Sequence, residues 1–263
     1  MSLSTSLSSS SESRMRSLSF SRRSVRGLRT AAHVARGLFV PKTTGISRED
    51  PLSRWCRDLL SLLGVELTLT GERPDPGAYL LVSNHISWMD ILVIRALFPT
   101  RFVAKEEIAL WPVIGSSARE AGTLFLGRNR LSSFFDTLHF ARTLLEKDLS
   151  VCVFPEGTTT SGTHLLPFRT GMFEVCIASG KPVLPLYLRY VSATCGSSLP
   201  VSYTNNESFA RSFWRTLGEP RISACVDLLP PITPAGKTRK ELARGAWRVL
   251  QERALVAGTP GTL

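Results

Sequence analysis

A histidine and an aspartate stand five positions apart in Asn84-His85-Ile86-Ser87-Trp88-Met89-Asp90, inside an otherwise apolar stretch. A neutral imidazole takes a proton from a hydroxyl near pH 7, and a neighbouring carboxylate fixes its tautomer and stabilises the imidazolium that forms. The pair reads as a general base, His85, with its orienting group, Asp90. The same residues admit a plainer reading. Ser87 and Asp90 fit S-x-x-D, a capping box that opens a helix, and His85 could be a half-buried loop histidine bonded to a carbonyl. A second group lies at Phe154-Pro155-Glu156-Gly157-Thr158. Here Glu156 could accept hydrogen bonds from a polyol and Gly157 could let backbone approach a ligand closely. The alternative is a simple turn. Lys105, Arg128, Arg130 and Arg169 add cations on loops, suited to a phosphate or carboxylate, Arg by paired bonds and Lys as a point charge. Taken singly, each is a solvated charge.

The elements around these residues alternate. Ala78 to Val82 is an apolar run ending at Ser83-Asn84, a buried strand stopping at a turn, and Ile91 to Phe98 continues as a helix. His85 and Asp90 thus fall at a strand-to-helix junction, where open α/β sheets place their chemistry. Val65 to Thr70 alternates strictly and reads as a strand. Further strands are expected at Thr100 to Ala104, Gly122 to Leu126, Leu149 to Phe154, Val183 to Leu188 and Ile222 to Leu228. Pro185 marks the Val183 strand as an edge or a bulge. Lys105 to Ile114 is a short amphipathic patch interrupted by Pro112. Helices are expected at Leu131 to Leu145, Phe173 to Ala178 and Thr238 to Ala254, while Ser192 to Asn206 is loop-like. Arg54 to Leu63 is a helix whose apolar side faces either the core or a headgroup layer. The pattern predicts a single-domain α/β fold, a mixed and mostly parallel sheet flanked by helices.

Bulk properties narrow the function. The chain has 263 residues, 43% of them hydrophobic, and a net charge of +11. That balance favours an anionic partner such as a phospholipid surface or a phosphorylated ligand. Nucleic acid is set aside, because no recognition motif or stacking platform is present. The five cysteines occur singly, without a C-x-x-C pair, so no metal site and no disulfide framework is expected. Cys152 and Cys176 read as core thiols. No apolar run is long enough to span a bilayer. Residues 1–48 form a basic, Ser/Arg-rich segment, disordered to about Thr30 or a targeting signal, with a lipid-binding basic arm as a further reading. Residues 49–263 form the folded domain. No G-x-S-x-G elbow supports a serine hydrolase.

Four short motifs occur in order: Asn84-His85-x-x-x-x-Asp90, Gly122-x-x-Phe125-x-x-Arg128, Phe154-Pro155-Glu156-Gly157-Thr158 and Val183-x-Pro185. Together, from about Leu59 to Tyr190, they resemble the glycerolipid acyltransferase family, which includes the 1-acylglycerol-3-phosphate acyltransferases. The resemblance implies transfer of a fatty acyl chain from acyl-CoA or acyl-carrier protein to the free hydroxyl of a lysolipid. It implies no cofactor beyond that co-substrate. His85 would be the base and Asp90 its orienter. Arg128 would bind the acceptor phosphate, and Glu156, Gly157 and Thr158 the acceptor backbone, with Lys105 and Arg169 nearby. Val183 and Pro185 would line the acyl or acceptor region. Backbone N–H groups near the junction helix would stabilise the oxyanion. The family often docks on membranes through an N-terminal helix pair, to which Arg54 to Leu63 is the nearest counterpart, so the protein is expected on an anionic membrane surface at the cytoplasmic face. Two departures stand out. Thr159 occupies a position where many lysophosphatidate enzymes carry Arg, and Gly127 precedes the motif Arg in place of an acidic or amide residue. Both leave room for the lyso-ornithine lipid O-acyltransferase branch, whose acceptor carries an amino-acid headgroup that Arg169 could meet. A non-catalytic anionic-lipid-binding protein is the alternative of another class.

Overall fold

The computed structural model describes residues 5–37, 50–105, 123–126, 131–204 and 207–257. Among these, seven strands form one sheet: β1 (Val65–Thr70), β2 (Leu80–Ser83), β3 (Thr100–Lys105), β4 (Leu124–Leu126), β5 (Ser150–Val153), β6 (Val183–Ser192) and β7 (Ile222–Leu228). Their spatial order is β1-β7-β6-β2-β5-β3-β4. Every neighbouring pair is parallel except β6 with β7. The helices are α1 (Thr5–Gly37), α2 (Pro51–Leu62), α3 (Met89–Leu97), α4 (Leu131–Glu146), α5 (Glu174–Ser179), α6 (Phe209–Gly218) and α7 (Arg239–Ala257). This is the expected mixed, mostly parallel α/β sandwich.

Side chains alternate across a strand, and the sheet accordingly separates two cores. Leu81, Cys152, Leu184, Leu186 and Leu188 face one side with Met89, Val93 and Ile94 of α3 and Cys56, Leu59 and Leu60 of α2. Leu80, Val82, Val151, Val153 and Val183 face the other with Ala141 and Leu145 of α4, Val175 and Cys176 of α5, and Leu242, Ala246 and Leu250 of α7. The apolar side of α2 therefore meets the core. Cys152 and Cys176 are core thiols, as expected, and burial pushes the Cys176 thiol up to about 12.

The structure refines three expectations. Within the Ser/Arg-rich segment, α1 spans Thr5–Gly37. The second half of α1 is docked: Arg22 donates to the Gly218 carbonyl (3.2 Å) and Arg26 to the Pro220 carbonyl (2.9 Å) at the end of α6. His33 lies parallel to Trp55 of α2, ring centroids 5.4 Å apart. Composition does not reveal such partners. Second, of the two alternatives that Pro185 left open, an edge or a bulge, the structure has the bulge, and β6 is an interior strand. Its partner supplies the bulge: Leu186 pairs with Leu228 but Val183 with Ile232, so the partner segment carries one extra residue opposite Pro185. Third, α6 was not expected. Ser208 caps it, with the Arg211 N–H donating to its hydroxyl. The amphipathic patch at Lys105 to Ile114 lies outside the described residues beyond Lys105.

One buried ion pair fixes α2 against α3, the helix that carries Asp90. Asp50 caps α2 by accepting the Ser53 N–H (2.7 Å) and also pairs with Arg95 of α3 (2.7 Å). Both side chains are nearly inaccessible. Removing one partner strands the other charge, which costs about 3–5 kcal/mol. Arg95→Ala is therefore expected to lower unfolding stability by that amount in urea denaturation, whereas Arg221→Ala, at an exposed 3.8 Å pair with Glu66, should leave it nearly unchanged.

Candidate active site

Because β2 and β5 are adjacent and parallel, with Val82 opposite Val153, their carboxyl ends release two loops side by side. One carries His85 and the other Glu156. The imidazole Nδ1 lies 2.7 Å from Asp90 Oδ2. The same oxygen accepts the N–H of Ile86 (2.7 Å) and Ser87 (3.0 Å), and Oδ1 accepts the Tyr190 hydroxyl of β6 (2.7 Å). An ionised carboxylate only accepts, so the imidazole proton sits on Nδ1 and Nε2 is left as a base. The Asp90 side chain is fully inaccessible, while that of His85 keeps 19% of its exposure. The ring lies on Phe154, centroids 4.0 Å apart and 13° from parallel.

The capping-box reading of Ser87-x-x-Asp90 holds by half, since the Asp90 N–H meets the Ser87 carbonyl and not its hydroxyl. Asp90 reaches back to the Ser87 N–H as in a capping box, and the same oxygen holds His85. That economy has a consequence for the oxyanion. The N–H groups of Ile86 and Ser87 point at Asp90, that of His85 at Glu156 (2.9 Å), that of Met89 at the Ser87 hydroxyl (3.4 Å) and that of Asp90 at the Ser87 carbonyl (3.1 Å). These five junction amides are turned inward, so they are not free to be the oxyanion donors expected near the junction helix.

Glu156 also has a different job from the one expected. It is buried, and its two oxygens accept the N–H groups of His85 and Leu166, each at 2.9 Å. It braces the histidine loop from below rather than offering itself to a polyol. Gly157 has a positive φ of 71°, and a Cβ there would lie 2.7 Å from Arg169 Nε. What approaches the glycine closely is therefore this side chain. The Arg169 guanidinium is exposed and has no salt-bridge partner among the described residues. Thr158 is half-buried beside it. Thr160, two residues on, donates its N–H to the His85 carbonyl (2.8 Å). Lys105 closes β3 at the same end of the sheet, but its side chain lies outside the described part, and Arg128 and Arg130 lie outside the described residues. Val183 and Pro185 are core, not site: they pair with Leu80 and Val82, below the loop that bears His85.

Sequence reasoning missed three positioning residues. Tyr190 holds the far oxygen of Asp90. Asn84 exchanges two 2.8 Å bonds with the Leu188 backbone and so ties the end of β2 to β6. Phe154 supports the imidazole. A tyrosine near the end of a buried strand carries no local signal, because its partner is 100 residues away.

Burial raises the pKa of the Glu156 carboxyl, and the two backbone donors only partly oppose it. A carboxyl that holds its proton more tightly in the folded state favours folding at low pH. Its contribution is lost as pH climbs from the ordinary glutamate range through the raised folded value. Glu156→Gln is expected to remove this fall in stability across mildly acidic pH. It should also cost about 1–3 kcal/mol throughout, because the amide nitrogen cannot accept one of the two backbone N–H groups. Urea denaturation from pH 4 to 7 measures both.

Residues 65–189 match the family model described as Acyltransferase. The chain is 33% identical over 174 residues to the 1-acyl-sn-glycerol-3-phosphate acyltransferase of Neisseria meningitidis, covering 66% of this chain and 68% of that protein. It is 31% identical over 226 residues to the lyso-ornithine lipid O-acyltransferase of Pseudomonas aeruginosa, covering 86% of each. The crystal structure of the 1-acyl-sn-glycerophosphate acyltransferase from Thermotoga maritima superposes with a TM-score of 0.65 at 20% identity, covering 92% of this chain and all of that one, a likeness of fold. With His85, Asp90 and the Glu156 loop assembled at one sheet edge and relatives similar over most of their length, the chain belongs to the glycerolipid acyltransferase family.

Proposed function

We propose that this protein is an O-acyltransferase that moves a fatty acyl group from acyl-CoA or acyl-carrier protein to the free hydroxyl of a lysolipid. The observation that carries the reading is the His85–Asp90 pair, with one ring nitrogen committed to a buried carboxylate and the other left at the accessible side. Nε2 takes the hydroxyl proton as the lipid oxygen attacks the thioester carbonyl. The tetrahedral intermediate collapses by breaking the C–S bond, and the imidazolium returns the proton to the departing thiolate. Asp90 stabilises the imidazolium between these steps. A non-catalytic lipid-binding protein would have no use for a base so oriented.

Arg169, which lies against Gly157 in the Glu156 loop, would meet the acidic headgroup of the acceptor. A lysophosphatidate and a lyso-ornithine lipid both present an anion there, and relatives of both names support either acceptor. Thr159 favours the second, because its hydroxyl is bonded to the Tyr203 carbonyl and it brings no charge. The protein would act at an anionic membrane surface, on the cytoplasmic face, where lysolipids present their hydroxyls. No described helix is long and apolar enough to cross a membrane.

The test is acyl transfer from a labelled thioester to a panel of lysolipids that includes lysophosphatidate and lyso-ornithine lipid. His85→Ala is expected to abolish turnover with the fold retained by circular dichroism; an unchanged rate would remove the mechanism. Asp90→Asn should lower kcat by about 10⁴-fold. Tyr190→Phe should lower it about 5- to 20-fold with little change in KM, since it removes one bond to a charged oxygen, worth about 1–2 kcal/mol.

A further inference from the structure

Away from the His85 loop, α7 presents Lys240, Arg244 and Arg248 at four-residue spacing, hence on one face of the helix. All three are exposed, and none has a salt-bridge partner among the described residues. Glu241 closes the N-terminus of α7 by accepting the Thr238 N–H (2.7 Å) and hydroxyl (2.8 Å), and Arg244 acts on it only through space. The cations border a depression of about 570 Å³ whose apolar walls are Pro167, Phe168 and Trp247. No carboxylate lines it among the described residues. The Trp247 indole N–H is buried and has no acceptor among the described residues.

The depression adjoins the catalytic loop. Pro167 and Phe168 directly follow Leu166, whose N–H holds Glu156 Oε2, and Glu156 Oε1 holds the His85 N–H. A ligand seated here thus lies against the same loop that braces the base.

We propose that this depression receives the adenine-nucleotide end of a coenzyme A thioester, the purine against Trp247 and Phe168 and the phosphates on Lys240, Arg244 and Arg248. The inference rests on the acyl-transfer reading and selects between its two donors. Aromatic walls suit a flat heterocycle, and guanidinium groups suit phosphates. The volume falls within the range of small-ligand clefts, roughly 300–1,000 Å³. A carrier protein would instead need an interface of about 800 Å² on each partner. The flexible pantetheine arm would then run along the Leu166–Arg169 loop and present the thioester carbonyl to the hydroxyl activated by His85.

The experiment titrates the full chain, without membranes, with adenosine 3′,5′-bisphosphate as the probe, and measures steady-state kinetics with acyl-CoA and with acyl-carrier protein. Wild type is expected to bind the bisphosphate saturably. In R244Q/R248Q the binding should weaken at least tenfold, and KM for acyl-CoA should rise by a similar factor while KM for the lysolipid stays unchanged. Trp247→Ala, which removes the aromatic wall, should weaken binding with the fold retained by circular dichroism. Absence of bisphosphate binding by wild type, or equal binding by wild type and the double variant, overturns the inference. So does a double variant that loses turnover only with acyl-carrier protein, which would make the occupant a protein. Should wild type transfer no acyl group from any thioester, the acyl-transfer reading fails; bisphosphate binding that the double variant loses would still uphold the nucleotide site.

Discussion

Asp90 carries a carboxylate at a point that water does not reach. Such a charge is tolerated only when fully hydrogen-bonded, and here four donors converge on it. Three come from the adjoining chain: the His85 ring and the N–H groups of Ile86 and Ser87. The fourth, Tyr190, comes from β6. The demand of one buried charge therefore sets the path of the whole strand-to-helix junction. It also dictates the orientation of the imidazole, because Nδ1 must face the carboxylate.

That arrangement depends on the sheet. Tyr190 points to the α3 side only while β6 keeps its register against β2, and a one-residue slip would turn it to the opposite face. Asn84 guards the register by pairing with the Leu188 backbone where β2 has ended. On the other flank, Glu156 uses both oxygens to hold the two loops together. Two buried acids thus perform complementary tasks: one orients the base and the other braces the backbone that bears it. The imidazole keeps part of its exposure here, and Arg169, which rests on Gly157, is exposed.

The positive charge is less uniformly available than a net +11 suggests. Arg22 and Arg26 donate to carbonyls at the end of α6, where a helix terminus leaves acceptors unpaired. Arg95 is inside the protein with Asp50, and Arg253 pairs with Asp227 at 2.8 Å. Arg239 and Arg253 of α7 are likewise paired, with Glu174 and Asp227, whereas Lys240, Arg244 and Arg248 lie along one helix face with no salt-bridge partner among the described residues, which is why those three carry weight as a binding surface.

The sequence by itself determined most of the elements and the pairing of His85 with Asp90. Strict alternation at Val65 to Thr70 and apolar runs ending in turn residues follow from local geometry, so they were legible. His85 and Asp90 were legible for the same reason, since residues five apart at a helix start meet through local backbone alone. Only the tertiary structure decided what depends on distant partners. Whether Glu156 faces substrate or backbone turns on the strand beside it. Whether the arginines of α1 dangle or dock turns on α6. Whether Pro185 lies at an edge or inside turns on a bulge in the neighbouring strand. In each case the deciding atom lies tens of residues away, and a pattern read along one segment contains no term for it.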